Sequence, residues 1–373
     1  MEAKRRSTTA AAASSHGSRS TTHISSLGDD VVGEIFLRLP SLVSIARAAC
    51  ACRHWQAVAS SPDFVRRLHR CPPLLSYVSP DFSYHPVAGG DLALTAFLRR
   101  SYISYWLVWD CRHGLLLTTS TNGRCPEVGM TVYDPISSRC FTVHSQPPDG
   151  GGDIGSFSDC LLPPARDEDR STASFRVASV QCCNQKVRAA VYDIDTNKWT
   201  LHPWAAVAAP QTETRCSVLA SPMHAARCVY WKYPNKPKLL SLDTLTMEFA
   251  VVPLPPGVSA TTRYAVGETK SAECCLVSFT PDPMVAKGQV MKAWLRREGD
   301  KGKLIWELQR QASLLELEQA IPSPRQVDHV RAVAAGVVLV CLNHSAGTTS
   351  KDHVAFCLES FKVEAQFKSG PLG

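Results

Sequence analysis

VYDPISSRCFTV (132–143), VYDIDTNKWTLH (191–202) and SLDTLTMEFAVV (241–252) are three versions of one plan. Each is an apolar strand ending at an aspartate, a polar turn, and an aromatic residue that opens a second strand. The pairs are Asp134 and Phe141, Asp193 and Trp199, and Asp243 and Phe249, spaced seven, six and six residues apart. An aspartate at this place accepts backbone N–H bonds from the turn that follows, so each predicts an Asx-type hairpin. Two later hairpins follow the plan more loosely: VMKAWLRREGDKGKLIWEL, with a charged turn between Trp294 and Trp306, and VAFCLESFKVEAQF near the C-terminus.

Ahead of each hairpin lies a separate apolar run: HGLLLTT, FRVASVQ, ARCVYWK, CCLVSFT and GVVLVCL. With Leu115, Ala178, Val229, Leu276 and Val338 as markers, the runs recur at intervals of 63, 51, 47 and 62 residues. A repeat of this length holding about four strands suits a blade of a β-propeller, whose radial stacking leaves few open sheet edges. Residues 71–373 therefore read as an all-β, propeller-like domain with five visible units. A sixth is expected from residues 74–110 (LLSYVSPDF and ISYWLVWD), closed by a strand from the end of the chain.

Residues 27–70 have a different character: LGDDVVGEIFLRLPSLVSIARAACACRHWQAVASSPDFVRRLHR. Asp29 or Asp30 is placed to cap a helix carrying Val31, Val32, Ile35, Phe36 and Leu39 at three- and four-residue steps. Pro40 stops it, because the residue before proline avoids helical geometry. A second helix carries Leu42, Ile45, Ala48 and Ala49, a third Trp55 and Val58. Ser61-Pro62 opens a last one with a capping serine and a proline in the first turn. Helices this short, in a module this small, cannot bury all their apolar side chains among themselves, which favours a binding partner. Ahead of the module, residues 1–26 are rich in Ser, Thr and Ala and read as a disordered tail. Its Lys4-Arg5-Arg6 run fits a nuclear address, an imitation of a transit peptide, or simply a solvated tail.

Composition removes several function classes. Across 373 residues the chain is 45% hydrophobic and 20% charged, which excludes whole-chain disorder. Its longest apolar run, Ala332 to Leu342, has 11 residues, where a helix needs about 20 to cross a bilayer. The net charge of +7 divides into +3 on residues 1–26, +2 on 27–70 and +2 on all the rest. The β region is nearly neutral, which argues against nucleic acid as its partner. The 15 cysteines include no C-x-x-C pair, so neither a zinc site nor a disulfide framework is expected, and no apolar leader precedes them. Reduced, mostly core-filling thiols in an intracellular protein are expected instead. The sequon at Asn343-His344-Ser345 is therefore discounted. The 12 histidines are scattered, and no nucleophile elbow, P-loop or H-E-x-x-H helix occurs. No catalytic residue, metal or cofactor is expected. The mixed-charge Arg166–Arg170 run reads as a solvated loop. Trp204, Trp231 and Tyr233 line either a binding face or the core between blades.

The module over residues 26–70 resembles an F-box, the motif that docks substrate receptors on the Skp-type adaptor of a cullin–RING ubiquitin ligase. The residues carrying the resemblance are Leu27, Asp29-Asp30, Glu34-Ile35, Arg38-Leu39-Pro40, Cys52-Arg53, Trp55 and Ser61-Pro62 with Phe64. Gly28 departs from the family, which usually has proline there, and loosens the start of the first helix. The adaptor contacts implied are Leu27, Ile35, Leu39, Pro40, Leu42, Ile45 and Trp55, with Trp55 equally readable as module core. The β region is similar to F-box-associated and kelch-like propellers, although double-glycine kelch signatures are absent, and the whole chain looks most like grass F-box proteins. The resemblance implies a non-enzymatic substrate-recognition subunit of a Skp–cullin–F-box ligase, working in the cytoplasm or nucleus. The β domain would capture a target protein whose identity the residues do not reveal. The alternatives are a scaffold or competitive binder with weak adaptor docking, and a propeller enzyme or carbohydrate binder with an incidental helical N-terminus.

Overall fold

The computed structural model describes residues 27–39, 42–61, 63–64, 67, 76–78, 84–86, 106–112, 115–120, 129–134, 139–144, 155–164, 175–183, 186–207, 221–233, 235–282, 284, 288–299, 304–314, 326–343 and 352–367. The chain divides into two compact units, Met1–Arg66 and Arg67–Gly373. The tail, Gly150–Gly152 and the Arg166–Arg170 run lie outside the described residues.

The first unit holds α1 (Asp29–Leu37), α2 (Leu42–Ala49) and α3 (Arg53–Ala59). Neither Asp29 nor Asp30 caps α1, contrary to expectation. Gly28 is the N-cap and has no side chain to offer, so both aspartates fall inside the first turn. There they face the positive end of the helix dipole, and Asp29 Oδ1 also meets His54 Nε2 of α3 at 2.7 Å. The helix ends at Leu37, before Pro40. The Sγ of Cys52 caps α3 by accepting the Trp55 N–H, and Ser61 Oγ accepts the Phe64 N–H at 3.2 Å, as its place before Pro62 predicts. Phe36 is the hub of this unit. It is 1% exposed and takes the edges of Trp55 and Phe64 at centroid distances of 5.7 and 5.8 Å.

The second unit contains five four-stranded antiparallel sheets, each built from consecutive strands. Blade 1 is β3 (Trp106–Arg112), β4 (Leu115–Ser120), β5 (Met130–Asp134) and β6 (Arg139–Val143). Blade 2 is β7 (Gly155–Leu162), β8 (Arg176–Cys183), β9 (Lys186–Asp193) and β10 (Lys198–Leu201). Blade 3 is β11 (Met223–Ala225), β12 (Cys228–Lys232), β13 (Lys238–Asp243) and β14 (Phe249–Pro253). Blade 4 is β15 (Arg263–Glu268), β16 (Cys274–Pro281), β17 (Gln289–Glu298) and β18 (Leu304–Ser313). Blade 5 is β19 (Gln326–Ala334), β20 (Val337–Asn343), β21 (Asp352–Cys357) and β22 (Val363–Phe367). A separate two-stranded sheet pairs β1 (Ser76–Val78) with β2 (Tyr84–Pro86).

The expected sixth blade is corrected by this topology. The ISYWLVWD segment supplies β3, the first strand of blade 1, and the last strand of the chain pairs with β21 inside blade 5. The five apolar runs used as markers are the second strands β4, β8, β12, β16 and β20.

The core lies between blades. Leu117, Val132 and Val143 of blade 1 meet Leu161, Val177 and Tyr192 of blade 2. Ala178, Val180 and Val191 meet Val229, Trp231 and Leu240 of blade 3. Tyr230, Leu239 and Val252 meet Tyr264, Leu276 and Trp294 of blade 4, and Val277, Phe279 and Met291 meet Val338, Val340 and Val354 of blade 5. Trp231 and Tyr233 are thus core, while Trp204 lies beneath the Arg188 guanidinium, 4.5 Å from its ring centroid.

The repeated turn is built as its aspartates predict. Asp193 Oδ1 accepts the N–H groups of Asp195 and Thr196, and Asp243 Oδ1 those of Leu245 and Thr246. The turn after Asp134 lies outside the described residues. Four residues after each aspartate the chain enters the left-handed region, at Asn197 (φ 54°) and Met247 (φ 59°). Blade 5 repeats the geometry, with Phe361 at φ 56° and Cys357 in the aspartate's place. Burial acts to raise the Cys357 thiol. The Ser360 hydroxyl, the N–H groups of Ser360 and Glu359, and the Lys270 ammonium outweigh it, and the thiol falls below its usual range. A sulfur accepting turn N–H groups takes the role of a carboxylate. Elsewhere burial does raise thiols, to about 11 at Cys182 and Cys274, which keeps them protonated at neutral pH. Cys50, Cys52, Cys111, Cys140, Cys160, Cys182, Cys228, Cys274, Cys275 and Cys357 form no disulfide.

Candidate functional site

Helix α1 is apolar on two sides. Val32 and Phe36 are buried against the unit's own core, yet Val31 is 48% exposed and Ile35 42% exposed. Leu27 and Leu39, each half-buried, extend this outer stripe at four-residue steps. A helix whose core-facing stripe is already satisfied, and which keeps a second apolar stripe, has a face left for another molecule. The periodicity of the sequence groups Val31 with the inward residues, but the structure turns it out beside Ile35.

The remaining expected contacts are distributed unevenly. Ile45 is buried within the unit. Trp55 is half-buried with its ring against Phe36, so it supports α1 from behind. Leu42 starts α2, while its side chain and Pro40 lie outside the described residues.

The second unit has a polar site that sequence reasoning missed. The inner strands β3, β7, β11 and β15 end close together, and their last residues form a network. Buried Asp110 accepts the Leu161 N–H of β7 and His224 Nε2–H of β11 through Oδ2, at 2.7 and 2.8 Å. Its Oδ1 accepts the Cys111 N–H at 2.8 Å. On the other side of the imidazole, Arg112 NH1 lies 2.5 Å from His224 Nδ1. Glu268, at the end of β15, completes the group. Burial raises its carboxyl, opposed by Arg112, by His224 and by a bond accepted from the Ala226 N–H.

Each polar group here is held by another protein group, so the network is a lock joining blades 1 to 4 where their inner strands end. Close approach continues toward blade 5. A Cβ on Gly267 would lie 1.8 Å from the Val333 carbonyl oxygen of β19, a gap that only glycine leaves open. Among the described residues no group of three or more His, Cys, Asp or Glu side chains could hold a metal ion, and no helix is long and apolar enough to cross a membrane.

Comparison with known proteins agrees with both units. Residues 24–71 match the F-box-like family, and residues 107–337 match the family described as F-box protein AT5G49610-like, beta-propeller. No curated protein matches. Among solved structures, the chain is similar to the β-propeller domain of Cps50 (Swd1) from Myceliophteria thermophila at 12% identity and a TM-score of 0.35, covering 70% of this chain and 73% of that one. It is similar to a chain of a nidogen/laminin complex at 11% identity and 0.35, covering 71% and 81%. A protein of unknown function from Bacteroides caccae gives 12% and 0.35, covering 71% and 82%. Similarities of this size add nothing to the architecture read from the strand order. With an F-box-like segment ahead of it and the propeller match spanning more than half of its length, the chain belongs to the F-box protein AT5G49610-like β-propeller family.

Proposed function

We propose that this protein is the substrate-recognition subunit of a Skp–cullin–F-box ubiquitin ligase. The first unit docks the Skp-type adaptor through the Leu27, Val31, Ile35 and Leu39 stripe, supported by Trp55 and by Ile45 in the unit's core, with Pro40 and Leu42 as further expected contacts. The propeller captures the target protein. The protein supplies no catalytic group. It raises the effective concentration of target lysines near a ubiquitin-charged enzyme that the complex provides. Thiols outside any disulfide, such as Cys160, Cys182, Cys274 and Cys275, fit work in the cytoplasm or nucleus. The kelch-like and grass-type resemblances belong to this same reading.

The observation that carries the proposal is the outer stripe of α1, apolar and exposed in a segment of F-box type. Its test is a pull-down of the full chain with purified Skp-type adaptor, beside the same chain carrying Val31→Asp and Ile35→Asp. Wild-type capture that the two substitutions abolish supports the reading; equal capture by both chains refutes it.

One observation favours a scaffold with weak docking. Gly28 stands at the N-cap of α1 with no side-chain cap bond. Glycine at that position costs only a few tenths of a kcal/mol relative to a capping residue, which is too little to prevent docking and leaves the ligase reading in front.

A further inference from the structure

Among the described residues, each blade ends in an outer strand that is hydrogen-bonded on one side only. Such an edge presents open N–H and C=O groups, and proteins ordinarily protect it by keeping it short, charged or covered. Four of the five follow that rule: β6, β14 and β22 have 5 residues and β10 has 4. The exception is β18, with 10. It also carries large apolar side chains in the open, with Leu304 52%, Ile305 48% and Leu308 42% exposed, where no other strand of the propeller exposes more than one among the described residues.

The strand is held in place from behind. Its pairing sets Leu304, Trp306 and Leu308 opposite Glu298, Arg296 and Trp294, which puts these three β18 side chains on one face. Trp306 Nε1 donates to the Pro253 carbonyl of blade 3 at 2.9 Å. Toward the other end Arg310 donates to the Glu359 carbonyl of blade 5 and stacks over Phe361 at 4.1 Å. An edge fixed on both sides pays little conformational entropy on binding.

Charge indicates what it binds. Residues 289–313, the β17–β18 hairpin, contain six Lys and Arg against three Asp and Glu, a net +3. The whole of residues 71–373 carries only +2, so this hairpin holds more than all of the domain's net positive charge. A second copy pairing edge to edge would bring two such hairpins together and repel. An acidic strand would be attracted.

We infer that the outer edge of β18 is a strand-addition site for an extended segment of the target protein, acidic in net charge and with apolar residues at alternate positions. Backbone bonds to the edge supply affinity, and alternate side chains against Leu304 and Leu308 supply selectivity. The inference rests on the propeller being the target-capturing part of the protein.

The test is selection of a phage-displayed library of random 12-residue peptides on the full chain. Under the inference, the enriched peptides alternate apolar residues and are net acidic. They bind a Leu304→Asp/Leu308→Asp chain and a Leu304→Ser/Leu308→Ser chain at least tenfold more weakly. N-methylation of every second peptide amide abolishes binding, and amide exchange of residues 304–311 slows when peptide is bound. Adaptor capture by both variants stays at the wild-type level, which separates failure of this site from failure of the docking assignment. The inference is overturned by a library that yields no binders, by binders insensitive to the substitutions or to N-methylation, by net basic binders, or by a wild-type chain that dimerises through β18.

Discussion

Replacing Val31 and Ile35 together by alanine separates docking from folding, because the two residues lie on the side of α1 that the unit itself leaves uncovered. Full burial of a Val or Ile side chain stabilises by about 1.5–3 kcal/mol. Val31 is 48% exposed and Ile35 42% exposed, so roughly half of that, about 1 kcal/mol each, is still to be gained on docking. The double variant should lose about 2 kcal/mol of adaptor affinity, close to thirtyfold in Kd. Its own stability should change far less, since the buried side of the helix is untouched. Phe36→Ala provides the contrast. That ring is 1% exposed with two aromatic edges against it, and its loss should cost about 3–5 kcal/mol and unfold the unit, adaptor binding included. Isothermal titration of purified adaptor into each full-length chain, with circular dichroism of the helical signal, measures both quantities. Double-alanine affinity within threefold of wild type, with the helices intact, would refute the argument that the outer stripe is the docking face.

Four further outcomes are expected. Asp110→Ala removes the acceptor for two backbone N–H groups and for His224, and should destabilise the propeller by about 3–5 kcal/mol in urea unfolding; a loss under 1 kcal/mol would mean the Asp110 network is not a lock. Gly267→Ala forces β15 away from Val333, so the chain should lose at least about 2 kcal/mol or fail to fold, which a soluble variant of wild-type unfolding midpoint would contradict. Cys357→Ala should cost about 1–2 kcal/mol through the lost turn bonds, whereas Cys357→Asp, which restores the acceptor of the other blades, should stay near wild type; an equal loss in both would show that the sulfur only fills space. Lys232 is desolvated and held at about 8, below the usual 10.5. Between those values the unfolded chain binds a proton that the folded chain does not, so stability contributed by this site rises with pH. The stability of wild type minus that of Lys232→Met should therefore climb from pH 8 to 10, and a flat difference would exclude the shift.

Much of this architecture is written locally. Asp193 and Asp243 announce their turns because an Asx bond reaches only two or three residues along the chain, and the second strands of all five blades stand out as apolar runs because both their faces are buried. The short helices of the first unit are equally legible, since stop and cap signals such as Ser61-Pro62 act within one turn. The first strands are not. β11 has 3 residues, and β7 reads GSFSDCLL. Neither has a pattern of its own, because an inner strand is specified by what the other blades bring to meet it. Asp110 and His224 stand 114 residues apart, so scattered histidines look inert until the blades close around them.

The same division runs through the docking helix and the sheet edges. The sequence alone determined an apolar helix of F-box type, five repeated β units and a chain without catalytic motifs, since composition, spacing and local turn chemistry are properties of neighbouring residues. Only the tertiary structure decided that Val31 faces out while Val32 faces in, that Trp106–Arg112 is an inner strand of blade 1, and that β18 is the longest outer strand among the described residues. Exposure is set by which other segments arrive to cover a side chain, and no local pattern carries that information.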